Sequence, residues 1–183
     1  MEQKEQFNLF EMYLQELQTI VSCEEAENKE LTARIRKGDV LAKKRLVEGN
    51  LKLALAMTRD YLNKGVPAAD LVQEANMALV LTAEEMADEE NKDSSRTFED
   101  ILRERIKTAL EEAVEEQDTE RKIGEEMAAR VNILQDVSKE LAERLGREPK
   151  VEELAERMKM TPDQIKEIMK VTMDALSITG EEG

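Results

Sequence analysis

Apolar residues recur along almost the whole chain at spacings of three and four positions, which is the pattern of amphipathic helices. The first such stripe is formed by Phe7, Phe10, Tyr13, Leu14 and Leu17. We find no alternation of apolar and polar residues of the kind that predicts strands. Only 7 glycines and 3 prolines interrupt the 183 residues. The sequence therefore predicts an all-α protein made of several helices.

Helix-ending residues divide the first part of the chain into segments. Gly38 follows the segment from about Glu25 to Lys37, as a glycine after a helix commonly does. Asp39 is suited to cap the next helix. The helical pattern then continues through residues 50–63 and stops near Gly65, and Pro67 stands where a new helix can begin.

The second part of the chain is organised in the same way. The stretch Asp88–Ser95 has no apolar residue and is expected to be a solvated loop. Helix resumes near Arg96, and another long helix is expected from about Glu125 to Leu145, where Gly146 ends it. Two short helices follow, the last one opened by a capping box at residues 161–164, and the tail 180–183 is expected to fray. These signals predict a first lobe of residues 1–120 and a second lobe of residues 121–183.

The helix expected from Pro67 to Met86 has two different sides when its residues are placed 100° apart. One side is suited to a core and contains Leu71, Val72, Ala75, Ala78, Leu79 and Thr82. The other side mixes acid, amide and large apolar residues, namely Asp70, Gln73, Glu74, Met77, Val80 and Leu81. The second side is either an ordinary solvated surface or a protein-binding surface with apolar anchors. The pattern alone favours the solvated surface.

Composition argues against catalysis and against membrane insertion. The chain has no histidine and a single cysteine, Cys23, so it lacks the commonest general base and any internal disulfide. We find no nucleophile–base pair, metal cluster or phosphate-binding loop. We therefore expect no enzymatic activity, no cofactor and no metal, and Cys23 is interpreted as a small packing residue. No apolar stretch is long enough to span a membrane and no signal peptide is visible, which favours the cytoplasm.

Several short motifs follow one another in a fixed order, and together they resemble a known family. They are Tyr13-Leu14-Gln15-Glu16-Leu17, Ala33 to Asp39, Ala42 to Glu48, Asn50 to Leu53, Asp70 to Asn76, Leu145 to Pro149 and Glu152 to Met158. In this order, from about Tyr13 to Gly180, the chain resembles the primary, or sigma-seventy, family of bacterial RNA polymerase sigma factors. The resemblance is to a divergent member, and the family's carboxy-terminal domain, which reads the −35 element, is not found in these residues.

The resemblance implies a partner and a binding site. In the family, the helix that matches Asp70–Val80 docks on a coiled coil of the clamp of core RNA polymerase. Carried over to this chain, the resemblance implies polar contacts from four residues of that helix, with apolar contacts beside them and support from the preceding helix. The residues are Asp70, Gln73, Glu74 and Asn76, then Met77 and Val80, and Leu51 for the support.

The positions with which the family reads promoter DNA hold different residues here. Flipped bases need aromatic faces to stack on, and the family offers a cluster of aromatic side chains after its acidic loop. When the chain is aligned without gaps on Leu102–Ile106, the aromatic positions hold Thr97, Asp100 and Ile101. Phe98 remains, but its neighbours suggest a core side chain. The positions of a further pair of DNA-reading residues, usually His and Glu, hold Glu126 and Ala129.

Charge gives the same indication. The whole chain has a net charge of −15, and residues 83–130, with 17 acidic and 8 basic residues, account for −9 of it. Acidic side chains repel phosphate instead of displacing its counterions. An acidic stripe at Glu111, Glu112, Glu115 and Glu116 is interpreted as a solvated helix surface and not as a mimic of DNA. Binding to promoter DNA is expected to be weak, or confined to a complex with polymerase.

Three functional hypotheses follow from these observations. The first is a sigma-like transcription protein that occupies core polymerase while recognition and melting of the −10 element are weakened or lost. The second is a divergent working sigma factor that initiates transcription at unusual promoters. The third is a helical adaptor that no longer binds polymerase. An anti-sigma-type protein is a possible additional partner under the first two hypotheses.

Overall fold

The computed structural model describes the backbone of residues 2–86 and 96–179, and the side chains of residues 10–86 and 96–173. Within these residues the chain forms helices and no strand, so the all-α prediction is confirmed. The helices are α1 (Glu2–Thr19), α2 (Glu25–Ile35), α3 (Val40–Met57), α4 (Ala68–Glu85), α5 (Phe98–Leu145), α6 (Val151–Met158) and α7 (Pro162–Thr179). A short 3₁₀ helix, Thr58–Tyr61, follows α3. The expected loop 88–95 and the expected frayed tail 180–183 lie outside the described residues.

The helix ends follow the capping residues of the sequence. The Asp39 carboxylate accepts hydrogen bonds from the backbone N–H groups of Leu41 and Ala42, both at 3.0 Å, and so caps α3. Gly38, just before it, has a φ of +84°, a conformation that favours glycine. At the start of α7, the Thr161 N–H donates to Gln164 Oε1 at 2.9 Å, and the Gln164 N–H donates back to Thr161 Oγ1 at 3.3 Å. The predicted capping box is confirmed.

Two predicted boundaries are wrong. The separate helices expected near Arg96 and from Glu125 are one helix of 48 residues, α5. Gly124 does not break it, because a glycine in a helix costs only about 1 kcal/mol and strong helix formers flank it. The segment 50–63 is not one continuous helix, because α3 ends at Met57. There the Thr58 hydroxyl donates to the Leu55 carbonyl oxygen at 2.8 Å, and the backbone tightens into the 3₁₀ turn.

The helices are grouped into two compact units, residues 1–118 and 119–183. In the first unit, α3 packs against α2 and α4, and the first turns of α5 join the same apolar core. The fully buried side chains of this core include Leu46, Leu71, Leu79, Leu102, Ile106 and Leu110. A buried amide pair joins α2 to α3, since Asn50 Nδ2 donates to Asn28 Oδ1 at 2.8 Å. This core holds α4 by its buried side.

The second unit has its own small core. It is formed by the later part of α5 together with α6 and α7, and its buried side chains are Leu134, Leu141, Leu154, Ala155, Ile165 and Ile168. Arg147 reinforces the start of α6, because its guanidinium binds the Glu153 carboxylate at 2.7 and 2.9 Å. Among the described residues, no helix combines the length and the apolar character that crossing a membrane would need.

Candidate functional site

The outer side of α4 is a continuous exposed surface, which we call the α4 face. Burial divides the helix as its periodicity predicts, because Leu71, Val72, Ala75, Ala78, Leu79 and Thr82 are all buried. Met77 is 59% exposed and Leu81 is 47% exposed, although both are large apolar side chains. The α4 face consists of Asp70, Gln73, Glu74, Met77, Val80 and Leu81.

The polar side chains at the amino-terminal end of the α4 face are not used within the protein. Asp70, Gln73 and Glu74 make no side-chain hydrogen bond or ion pair with any other described residue. At the other end of α4, by contrast, Glu84 pairs with Lys43 at 2.8 Å and Glu85 pairs with Arg105. Polar groups that are unpaired among the described residues and lie beside exposed methionine and leucine are available to a protein partner.

A groove between α4 and α5 widens this surface. Its volume is about 600 Å³, and its apolar lining includes Met77, Leu81 and Ile101. Glu74 and Glu112 also line it, one on each helix. The α4 face can therefore accept apolar side chains of a partner beside its polar groups, which is how orientation and affinity are combined at interfaces.

The expected supporting residue, Leu51, and one expected contact residue, Asn76, lie off the α4 face. Leu51, on α3, is half-buried and packs against the core of the first unit, so it supports α4 from within. Asn76 is also half-buried, and its Nδ2 donates to the Tyr13 hydroxyl oxygen at 2.9 Å. Its Oδ1 is buried and has no hydrogen-bond partner among the described residues. Asn76 is thus directed towards α1 and differs from the exposed members of the set.

Tyr13 is the residue that sequence reasoning missed. The sequence places it in an apolar stripe. In the structure, burial raises the pKa of its phenol, and its hydrogen bond with Asn76 partly offsets this effect. A signal was present, because a buried tyrosine hydroxyl usually has a hydrogen-bond partner. The sequence did not show which residue, 63 positions away, would supply it.

The start of α5 uses its polar residues internally. The Thr97 N–H and hydroxyl both donate to Asp100 Oδ2, at 3.0 and 2.7 Å, and the Asp100 N–H donates back to Thr97 Oγ1 at 3.1 Å. This reciprocal cap satisfies the free N–H groups of the first turn. The Thr97 hydroxyl and backbone, and then the nearby Arg96 and Arg103, hold the pKa of Asp100 below its ordinary value.

The other expected DNA-reading positions offer no aromatic surface. Phe98 is buried in the core of the first unit, and Ile101 is half-buried against it. In the second unit, Glu126 and Ala129 are exposed on α5. The four glutamates of the acidic stripe, Glu111, Glu112, Glu115 and Glu116, are exposed as well. The described positions therefore lack the stacking surface that flipped bases require.

Cys23 has the features of a packing residue. Its thiol is half-buried beside Gly49, where an added Cβ would lie only 2.1 Å from Sγ. Burial raises its pKa to about 11, so the nucleophilic thiolate is scarce at neutral pH. No group of three or more Cys, Asp and Glu side chains in the described part of the chain is arranged to hold a metal ion.

Comparisons with known proteins give one consistent match. The family model described as Sigma-70 region 3 matches residues 129–183. The RNA polymerase sigma factor SigA of a Bacillus species is 34% identical over 174 residues, which cover 93% of this chain and 45% of that protein. SigA of Clostridium acetobutylicum is 33% identical over 174 residues with the same coverage. The chain thus spans a little under half the length of these curated relatives.

Proposed function

Since this chain belongs to the sigma-70 family as a divergent member, we propose that it binds core RNA polymerase through the α4 face. We propose further that it occupies the polymerase as a transcription protein without enzymatic activity, in the cytoplasm, and that it is weak in recognising and melting the −10 element. The first lobe, residues 1–120, would hold the polymerase-binding surface, and the second lobe would be the family's middle helical domain.

One observation carries the binding part of the proposal. Asp70, Gln73 and Glu74 are exposed and unpaired among the described residues, directly beside the exposed Met77. Polar side chains that a protein leaves unused gain hydrogen bonds when a partner covers them, and the neighbouring apolar side chains gain burial. Leu51 and the core below it hold the helix in place.

Two other observations support the proposal that the chain recognises promoter DNA weakly. Thr97 and Asp100 cap α5, so a base-stacking residue at either position would have to replace part of the cap. The net charge of −9 over residues 83–130 opposes contact with phosphates. The proposed role is therefore competition with a working sigma factor for core polymerase.

The binding proposal is tested with purified core polymerase and the double substitution Gln73→Ala with Glu74→Ala. Losing both groups should weaken binding roughly 5- to 150-fold, corresponding to about 1–3 kcal/mol. The chain offers a matched control, Gln15→Ala with Glu16→Ala, since this adjacent amide–acid pair is exposed on α1 of the same unit. Unchanged binding of the Gln73/Glu74 variant, or equal losses in both variants, would contradict the α4 assignment. No binding by the unmodified chain would favour the adaptor hypothesis.

The promoter proposal is tested by permanganate footprinting of a standard promoter. Core polymerase is supplied with this chain as its only sigma, and the positive control is the aligned 174-residue stretch of the Bacillus relative. We expect reactive, unpaired thymines with the control stretch and none with this chain. Reactive thymines with this chain would establish the second hypothesis, a divergent working sigma factor, and end the proposal of a non-melting competitor.

A further inference from the structure

The hydrogen bond between Tyr13 and Asn76 joins α1 to the middle of α4, at the edge of the proposed binding surface. Asn76 lies one helical turn from Gln73 and from Val80 and is next to Met77, all of them on the α4 face. The Tyr13 hydroxyl supplies the one hydrogen bond that the Asn76 side chain makes with described residues, because its Oδ1 has no partner there. The orientation of this amide therefore depends on α1.

The position of α1 that makes this bond possible is fixed independently. Leu17, one turn after Tyr13, is only 3% exposed, and Lys52 Nζ donates to the Gln18 carbonyl oxygen at 3.3 Å. The Thr19 hydroxyl closes the end of the helix by donating to the Glu16 carbonyl oxygen at 2.7 Å. The second half of α1 is thus held against the first unit, with Tyr13 directed at α4.

We propose that Tyr13 is a positioning residue for polymerase binding: through Asn76 it keeps the α4 face in its binding geometry, so that this one residue of α1 acts on the functional surface. Removing the hydroxyl leaves a partly buried amide with no partner among the described residues. Such a group turns towards water, and the neighbouring residues Gln73, Met77 and Val80 of the α4 face are exposed to it. A change on α1 is thereby transmitted to residues that contact the partner. This inference rests on the proposed function.

The test is the binding of core polymerase by Tyr13→Phe, which removes one oxygen atom and keeps the ring. We expect binding about 5-fold weaker, the effect of removing one partner of a buried hydrogen bond. The matched control is Tyr61→Phe, which removes the hydroxyl of the only other tyrosine in the chain and should bind as the unmodified chain does. If the unmodified chain fails to bind, the proposed function falls and this inference falls with it. If the unmodified chain binds and Tyr13→Phe binds equally well, only this inference is overturned.

Two further variants separate positioning from direct contact and from simple loss of stability. If Tyr13 acts through Asn76, adding Tyr13→Phe to Asn76→Ala should cause no additional loss of affinity, whereas additive losses would overturn the positioning role. Asp39→Ala removes the cap of α3 in the same unit, at a residue that belongs neither to the α4 face nor to the lining of the groove, and should leave affinity unchanged. An equal loss of affinity in Asp39→Ala would trace the Tyr13 effect to stability and overturn the inference.

Discussion

The α4 face and the first turn of α5 use the same kinds of side chain in opposite ways. Both stretches lie in the first unit, and both combine carboxylates with neutral polar groups. On α4, Gln73 and Glu74 are unpaired among the described residues, whereas on α5 Thr97 and Asp100 bind each other and the backbone. The next residues of α5 are also paired internally, since Glu99 accepts a hydrogen bond from Arg103 at 2.9 Å.

This difference shows that the availability of a polar side chain for a partner depends more on its hydrogen bonds within the protein than on its residue type. A carboxylate that caps a helix has already exchanged water for protein donors, and a partner would have to break those bonds to use it. An unpaired carboxylate beside exposed apolar side chains has bonds left to make. The positions of both stretches in the sequence predict a function for each of them. Hydrogen bonding within the protein distinguishes the two, because the α4 face is free to bind a partner and the first turn of α5 stabilises the fold.

The largest predicted effect is a difference in stability between substitutions on the two sides of α4. Leu79→Ala should lower the free energy of unfolding of the first unit by about 2–5 kcal/mol, because Leu79 is fully buried in its core. Met77→Ala, on the α4 face, should change it by less than about 0.5 kcal/mol. Native-state hydrogen exchange of the α4 amides measures both. A large loss with Met77→Ala would mean that the α4 face is part of the fold and not free for a partner.

Removing the α5 cap should have a smaller effect. Thr97→Ala should cost about 1 kcal/mol of stability, since it deletes the hydroxyl that caps the first turn. Thr108→Ala is the matched control, because the Thr108 hydroxyl only donates to the Glu104 carbonyl oxygen inside the same helix, and alanine is the better helix former. Thermal unfolding should show a lower midpoint for Thr97→Ala and an unchanged or higher midpoint for Thr108→Ala. A lower unfolding midpoint for Thr108→Ala than for Thr97→Ala would show that the cap does not stabilise the helix.

The smallest expected effect is the dependence of that cap on pH. The folded pKa of Asp100 is lower than its ordinary value near 3.8, so folding favours the ionised carboxylate. The stabilisation is complete above the unfolded pKa and is lost as pH falls through the lower folded pKa. The protection of the first-turn amides of α5 against hydrogen exchange, after correction for the pH dependence of the intrinsic exchange rate, should therefore fall below about pH 4. Asp100→Asn should remove this acid-dependent step, and an identical pH profile for both proteins would assign the step to other groups.

Much of the fold could be predicted because it depends on local signals. The two sides of α4, the cap at Asp39 and the capping box at Thr161 follow from periodicity and from the hydrogen-bonding needs of helix ends. The continuity of α5 was missed because two opposing tendencies there, a glycine and a run of strong helix formers, differ by little free energy.

The candidate site was predictable only in part. That Gln73 and Glu74 would be exposed could be read from the helix period, because exposure is set by one helix and its core. That Asn76 would turn inwards could not, because its partner Tyr13 lies on a different helix and only packing brings the two together. The reciprocal hydrogen bonds of Thr97 and Asp100 join residues three positions apart, so the local sequence is sufficient to predict them.

The packing of Cys23 against Gly49 has a practical consequence for the chemical labelling of this protein. A thiol with a pKa of about 11 has roughly one molecule in a thousand as thiolate at pH 8, so maleimides and peroxide should react with it slowly. A cysteine introduced at the exposed Met77 would then be the one fast-reacting thiol in the chain. Dyes, spin labels and cross-linkers could be placed on the α4 face without removing any native residue from the core.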